Sequence, residues 1–382
     1  MSSARLISRL KALNWDFEGA GSESAFSSIH WHPCRFVSQI PAALIGLLSR
    51  PSAVVADPFL GSGTTAVEAQ RLGRHFVGFE INPTAALISD AKVLPVTGRH
   101  VSRLCRTLKA SAQESVRAGV LSPERVLEFA PDGVQLEKWY VAGVAAELCA
   151  LWWDINATKG TARAIALLAF SSILLKVCRE TRHWGYVCDN STPVGNRGGD
   201  VLLEYSRALD AIARAYEERD IHLRDLNAEI FPAIVHCADA RDGLAQLHEG
   251  SVDLVVTSPP YFGVSDYAKA QRLTAEWLST DIESIRRAEI GARSKRHRLA
   301  AYHEYMQAME FVFRGCHRAL KKDGYCCVVL GESSARSGYI DDFRKRMLEM
   351  EFLLEHETTR RISVRRRQNP SLHEEHLFVF RR

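Results

Sequence analysis

The 382-residue sequence predicts an α/β protein, a doubly wound and mostly parallel sheet with an inserted helical subdomain. Three observations carry that expectation. Short apolar runs rich in β-branched residues alternate with helix-period stretches in two separate regions. A glycine turn, GSGTT at 61–65, joins one such run directly to a helical stretch. Between the two regions, apolar residues recur at helical spacing for more than a hundred positions.

Over 51–91 the order is strand (SAVVADPFL), turn (GSGTT), short amphipathic helix (AVEAQRLG, closed by Gly73) and strand (HFVGFEIN). The next segment is helical: EKWYVAGVAAELCALWWDI, TARAIALLAFSSILLKVCRE and, after the loop DNSTPVGNRGG, DVLLEYSRALDAIARAYEERD. The α/β pattern resumes at Ala233. AIVHCADARDGL reads as strand and turn, SVDLVVTSPPY as strand and corner, and AYHEYMQAMEFVFRGCHRALKKDG as a helix. YCCVVLGE is a strand, DDFRKRMLEMEF a helix and EEHLFVFRR a last strand. The chain thus divides into 1–97, 98–228 and 229–382. Ligands of such sheets bind beyond the carboxyl ends of the strands, where both unusual turns fall, after VVAD and after DLVVT.

Hydrophobic residues make up 46% and charged residues 25%, which fits a soluble globular chain and excludes a disordered or collagenous one. Forty-nine basic against 45 acidic residues leave a net charge of +4, too small to indicate a polyanionic partner by itself. The distribution is more informative: GARSKRHR at 291–298 and RRISVRRRQ at 360–368 concentrate positive charge as a phosphate-contacting surface would. Nine cysteines show no zinc spacing or disulfide framework, so no metal is expected and reduced thiols in a cytoplasm are. The N-terminus has no apolar signal core, and the longest apolar run, AIALLAFSSILL at 164–175, is too short for a bilayer and reads as a core helix. A soluble, cytoplasmic protein without membrane contact is expected.

The first turn contains Gly61-x-Gly63-x-x-Ala66, a weak dinucleotide-type fingerprint strengthened by the strand before it and the helix after it. Glu80 ends the next strand about 20 residues on, where an acid can accept from ribose hydroxyls. No lysine follows the glycines, which argues against a phosphate loop of the Walker kind. NAD and S-adenosyl-L-methionine both suit such a turn. Asp57 at the strand tip favours a ligand carrying an ammonium and a sulfonium over a pyrophosphate, by charge matching. Phe59, Gly61, Ser62, Gly63, Thr64 and Thr65, with Glu80 and Asn82, are therefore candidate cofactor residues, and Asp239 is a candidate acceptor for an adenine amine.

The second turn, TSPPY at 257–261, puts two prolines after a buried strand. Proline fixes φ and lacks an N–H, so the pair makes a rigid corner whose carbonyls and whose Ser258 hydroxyl can act as acceptors. DPFLGSGTT with FEIN, then HCADARDGL and SVDLVVTSPPY, together with IHWHPCRFVSQIP and EEHLFVF, resembles the exocyclic-amino DNA methyltransferases, which methylate cytosine N4 or adenine N6. The resemblance covers about two thirds of the chain, all but the helical insert. It implies a Rossmann-like methyltransferase fold, S-adenosyl-L-methionine as cofactor and double-stranded DNA as substrate. Ser258, Pro259, Pro260 and Tyr261 would be catalytic. An aromatic amine is a poor nucleophile, and acceptors on its N–H groups stabilise the charge that grows as it attacks a methyl group. Tyr261 would stack on the base, which must leave the duplex to reach the site. Ser at 258 favours cytosine N4 over adenine N6 by resemblance, and Phe36 would pack over the methionine end of the cofactor. Pro33-Cys34 resembles the nucleophile pair of cytosine-C5 enzymes but precedes the glycine turn, so it is not expected to react.

The insert falls one strand earlier than the resemblance leads one to expect, leaving target recognition, dimerisation and a purely structural role open for it. For base contact there are two candidate sets: Asn190, Asn196 and Arg197 in the insert loop, and Lys269, Arg272, Arg293, Lys295, Arg296 and Arg298 in the more basic segment after the catalytic corner. The second set is favoured, with Arg365, Arg366 and Arg367 as phosphate contacts. A cognate restriction endonuclease and a second copy of the chain are further candidate partners. Rival readings are an RNA base methyltransferase and a DNA-binding protein with a dead site.

Overall fold

The computed structural model describes residues 3–17, 24–30, 32, 37–120, 126–179, 193, 198–331, 338–362 and 374–382. Its elements in chain order are α1 (Ser3–Ala12), α2 (Gln39–Leu48), β1 (Val54–Asp57), α3 (Thr64–Arg71), β2 (His75–Glu80) and α4 (Pro83–Lys92). Helices α5 (Gly98–Val120), α6 (Leu136–Trp139), α7 (Ala142–Ala157), α8 (Gly160–Val177) and α9 (Val201–Asp225) follow. Then come β3 (Ala233–Cys237), α10 (Ala240–Gln246), β4 (Val252–Thr257), α11 (Tyr267–Ala270), α12 (Arg272–Trp277) and α13 (Ile282–Ala288). The chain closes with α14 (Ala301–Ala319), β5 (Leu320–Gly331), α15 (Tyr339–Glu349), β6 (Leu353–Arg361) and β7 (Glu374–Arg381).

Seven strands form one sheet in the order β3-β2-β1-β4-β5-β7-β6, with β7 antiparallel to both neighbours and the rest parallel. The doubly wound sheet expected from the sequence is present. Its order reverses between β1 and β4, and the two unusual turns leave from these two adjacent strands. Successive strand residues face opposite sides. Val55, Leu254, Val256, Cys327 and Val329 therefore join one core with α1, α2, α3 and the inserted helices. Ala56, Val255, Cys326, Val328 and Phe378 join the other with α14 and α15.

The inserted helices share a core with the sheet. The apolar run at 164–175 lies within α8, whose 18 residues are long and apolar enough to cross a bilayer by length and composition. Ile165, Leu168, Phe170, Ile173 and Leu174 are nonetheless at most 1% exposed, so within the fold α8 is a core helix. Two expectations are corrected. The helix expected to run through KKDG ends at Ala319, and Leu320 already pairs with Val252 before the chain bends at Asp323 (φ 62°). LLEHETTRR, unassigned in sequence, is the edge strand β6.

Candidate functional site

Strand β1 delivers Asp57 to the first turn. Its carboxylate accepts from the Thr65 hydroxyl (2.7 Å), the Thr257 hydroxyl (2.6 Å) and the Phe59 N–H (3.0 Å), and it is 1% exposed. Burial outweighs these bonds and pushes its pKa up to about 6. Asp57 therefore braces the tips of β1 and β4 together. Charge matching to a ligand ammonium, the expectation for it, is corrected by its enclosure, and Thr65 is enclosed with it.

The turn itself winds through Gly61 (φ 55°) and Gly63 (φ 84°), left-handed values that suit glycine. A Cβ on Gly63 would also meet Ser89 at 3.0 Å. Glu80 holds the turn: one oxygen accepts from the Gly61 N–H and the other from the Asn82 N–H, both at 2.8 Å. Burial, with the nearby Glu289 and Asp57 carboxyls adding to it, raises Glu80 to about 7. The Asn82 side chain caps α4 at the Thr84 N–H and donates to Gln271 Oε1 (3.0 Å). Asp239 caps α10 at the Arg241 N–H and pairs with the Arg241 guanidinium at 2.6 Å. Partial burial works against that pairing, but Arg241 holds the carboxyl below its ordinary range.

Beyond β4 the double-proline corner is fixed from three sides. The Tyr305 hydroxyl donates to the Pro260 carbonyl (3.1 Å). The Tyr261 hydroxyl donates to Glu375 Oε1 (2.9 Å), and Glu375 pairs through its other oxygen with Arg360, which also donates to the Trp15 carbonyl (3.0 Å). Ser258 Oγ lies 3.2 Å from the Tyr261 oxygen. Because Tyr261 gives its own proton to Glu375, Ser258 is the donor in that contact, and its lone pairs are left for another partner. The Tyr261 ring is only 2% exposed. The expected stacking face is therefore corrected: the ring belongs to the core and its hydroxyl to the corner. Arg360, counted in a basic phosphate-contacting run, is likewise spent in a buried pair.

Both turns open on one cleft of about 990 Å3, part of it open to solvent. Phe59, Gly61, Ser62, Thr64, Glu80, Asn82, Asp239 and Ser258 to Tyr261 line it, whereas Asp57, Gly63 and Thr65 stand behind the wall. Further wall residues that were not assigned to the site from sequence include His32, Tyr267, Glu289 and Ile290. The last three come from a cover segment, 264–298, that closes on itself. Gly263 N–H donates to the Gly291 carbonyl, Arg293 N–H to Ser265, and the Ser294 hydroxyl to Asp266. The Tyr267 ring stacks on His32 with centroids 6.5 Å apart. No period or motif marks Glu289, whose only sequence signal is an acid next to Ile-Gly within a basic stretch.

The cleft suits a nucleoside with an amino-acid tail. Glu80 offers remaining lone pairs to hydroxyls, Asp239 lies at the β3 end, and the buried Ser62 hydroxyl has no partner among the described residues. Among those residues, no group of three or more His, Cys, Asp or Glu could hold a metal ion.

The basic candidates separate. Lys295 Nζ donates to the carbonyls of Arg287 (2.6 Å) and Glu289 (2.8 Å), and Arg272 pairs with Glu276 (2.8 Å) beside the Trp139 ring. Both are thereby corrected from free base contacts to braces of the cover segment. Arg298 is exposed and paired with Glu304, Arg293 is exposed, and Lys269 and Arg296 are partly so. Cys34, Phe36, Asn190, Asn196, Arg197, Arg365, Arg366 and Arg367 lie outside the described residues.

The profile of the N6/N4 methyltransferase family, described as DNA methylase, matches residues 10–90 and 252–382. Among curated proteins, the chain is 24% identical over 271 residues to the type II methyltransferase M.MvaI of Kocuria varians, covering 66% of this chain and 58% of that one. It is 41% identical over 69 residues to M.ScaI of Streptomyces caespitosus, covering 18% and 23%. With M.PvuII of Proteus hauseri it shares 40% over 63 residues, covering 16% and 19%. The chain thus spans less than two thirds of each of these relatives.

Proposed function

Since the chain belongs to the N6/N4 DNA methylase family, we propose that it transfers the methyl group of S-adenosyl-L-methionine to cytosine N4 of a base flipped out of double-stranded DNA. One observation carries the reading: the glycine turn and the Ser258–Tyr261 corner open on the same cleft, with Ser258 Oγ oriented by Tyr261 to accept.

The cofactor supplies an electrophilic methyl group on a sulfonium. Glu80 would hold its ribose, Asp239 its adenine amine, and Ser62 with the turn around Gly61 its amino-acid end. At the corner, Ser258 Oγ accepts from one N–H of the target amine. A backbone carbonyl of the Pro259–Pro260 segment, held in place by the Tyr305 hydroxyl on Pro260, accepts from the other. Both contacts strengthen as the nitrogen becomes positive, which favours the transition state over the ground state. The amine's proton then passes to solvent, and no covalent enzyme intermediate forms. Phe59 and Tyr267, partly exposed in the cleft wall, are better placed than Tyr261 to stack on the flipped base.

Adenine N6 is the alternative target of the same chemistry. Arg293, Arg296 and Arg298 would contact DNA phosphates, in the cytoplasm at the nucleoid, and a cognate endonuclease is the natural partner of such an enzyme. Incubation with labelled S-adenosyl-L-methionine and mixed duplex DNA, followed by digestion to nucleosides, tests the proposal. Label in N4-methyl-2′-deoxycytidine supports it, label in N6-methyl-2′-deoxyadenosine replaces the target base, and label only on cytosine C5 or only in RNA sinks it.

A further inference from the structure

Glu289 is 6% exposed, and its two oxygens are used unequally. Oε1 accepts from the Ala268 N–H at 2.5 Å, while Oε2 has no partner among the described residues. The residue lines the cleft and lies close enough to Glu80 for its carboxyl to add to the raising of Glu80's proton affinity. Its position is fixed by the cover segment: Lys295 donates to the Glu289 carbonyl, and Gln271 accepts from Asn82, two residues beyond Glu80. A buried oxygen without a protein partner is costly unless a ligand satisfies it.

We propose that Glu289 Oε2 is a second hydrogen-bonding group, beside Glu80, for the ribose hydroxyls of the cofactor nucleoside. The inference rests on the methyltransferase reading of the cleft. A hydroxyl is the matching chemistry because it donates to a carboxylate and accepts from a carboxylic acid, so it pairs with Glu289 in either protonation state. An amine or ammonium would pair only with the ionised form. Burial raises the Glu289 pKa to about 7, so both forms are populated near neutrality. Each of two carboxyls can thus meet one hydroxyl of a vicinal diol, one from β2 and one from the cover segment. That closes the cofactor site with residues from both halves of the chain.

Calorimetric titration of the full chain with S-adenosylhomocysteine and its 2′-deoxy and 3′-deoxy analogues provides the test, with no turnover required. Glu289→Gln keeps an acceptor for the Ala268 N–H, and Glu289→Met removes hydrogen bonding at equal length in case the amide finds the same hydroxyl. Thermal melting checks that both are folded. The expected result is a loss of affinity of roughly five- to tenfold for S-adenosylhomocysteine in at least one variant. One deoxy analogue should bind the wild type more weakly by a similar factor and lose nothing further in that variant. Unchanged affinity in both folded variants, an equal loss for all three ligands, or a defect confined to DNA binding would overturn the assignment. A wild-type chain that binds neither S-adenosylhomocysteine nor S-adenosyl-L-methionine would instead overturn the methyltransferase reading.

Discussion

The Tyr261 hydroxyl donates to Glu375, 114 positions along the chain, and thereby turns the Ser258 hydroxyl so that its oxygen faces the cleft. Tyr261→Phe keeps the ring and frees the Ser258 proton to occupy the acceptor position. Steady-state kinetics should show kcat lower by roughly three- to tenfold with KM for S-adenosyl-L-methionine little changed, and the melting temperature should fall because buried Glu375 Oε1 loses its donor. Equal kcat in both proteins would show that Ser258 needs no orienting.

Glu375 and Arg360 are both nearly enclosed, so removing one leaves the other charged and unpaired. Glu375→Leu should destabilise the fold by about 3–5 kcal/mol in urea unfolding. The double variant Glu375→Leu/Arg360→Met should recover most of that loss.

Asp57, Glu80 and Glu289 all have raised pKa values, to about 6, 7 and 7. For such acids the folded state holds protons that the unfolded chain has released. Their contribution to stability is full below the ordinary carboxyl range and is lost as pH rises through 6 to 7. His222, His317 and His356, lowered mainly by burial, act in the opposite direction. The difference between wild type and Glu289→Gln isolates the acid: measured without ligand at pH 5 to 8, the wild type's advantage should shrink as pH rises. An advantage that grows with pH would contradict the burial of Glu289.

Gly63 combines a left-handed φ with a close approach to Ser89. Gly63→Ala should cost roughly 1–3 kcal/mol in denaturant unfolding and weaken cofactor binding, since the turn must shift to admit the methyl group. Gly250→Ala, also at positive φ but with open space around it, should leave cofactor binding intact.

Arg293→Ala and Arg296→Ala should each weaken DNA binding similarly across sequences and lower the salt-dependence slope by about 1. Lys295→Ala should leave that slope unchanged and weaken cofactor binding, because its ammonium holds Glu289 in place. A slope change for Lys295 alone would restore its reading as a phosphate contact.

Strands β1, β2, β4, β5 and β7 were legible because their apolar runs are buried. Strand β6 was not, because LLEHETTRR at the sheet edge keeps Leu353 half exposed and buries Arg360 against Glu375 and the Trp15 carbonyl. The two turns were legible from glycine and proline, whose backbone demands are local. What Tyr261, Asp57 and Lys295 touch was not, since Glu375, Thr257 and the Glu289 carbonyl are brought to them by the sheet or the cover segment. Glu289 escaped for the same reason.

The inserted helices and the cover segment meet at Trp152, Phe170 and Trp277, whose ring centroids lie 5.0 to 5.5 Å apart, and Ser171 Oγ is hydrogen-bonded to Thr274. The family profile passes over the whole insert, between 90 and 252, yet runs through the cover segment docked against it. A chain that shed the insert would uncover the Trp277 indole on its cover segment. The two segments therefore shield one another's apolar faces, and removing either would expose aromatic surface on the other.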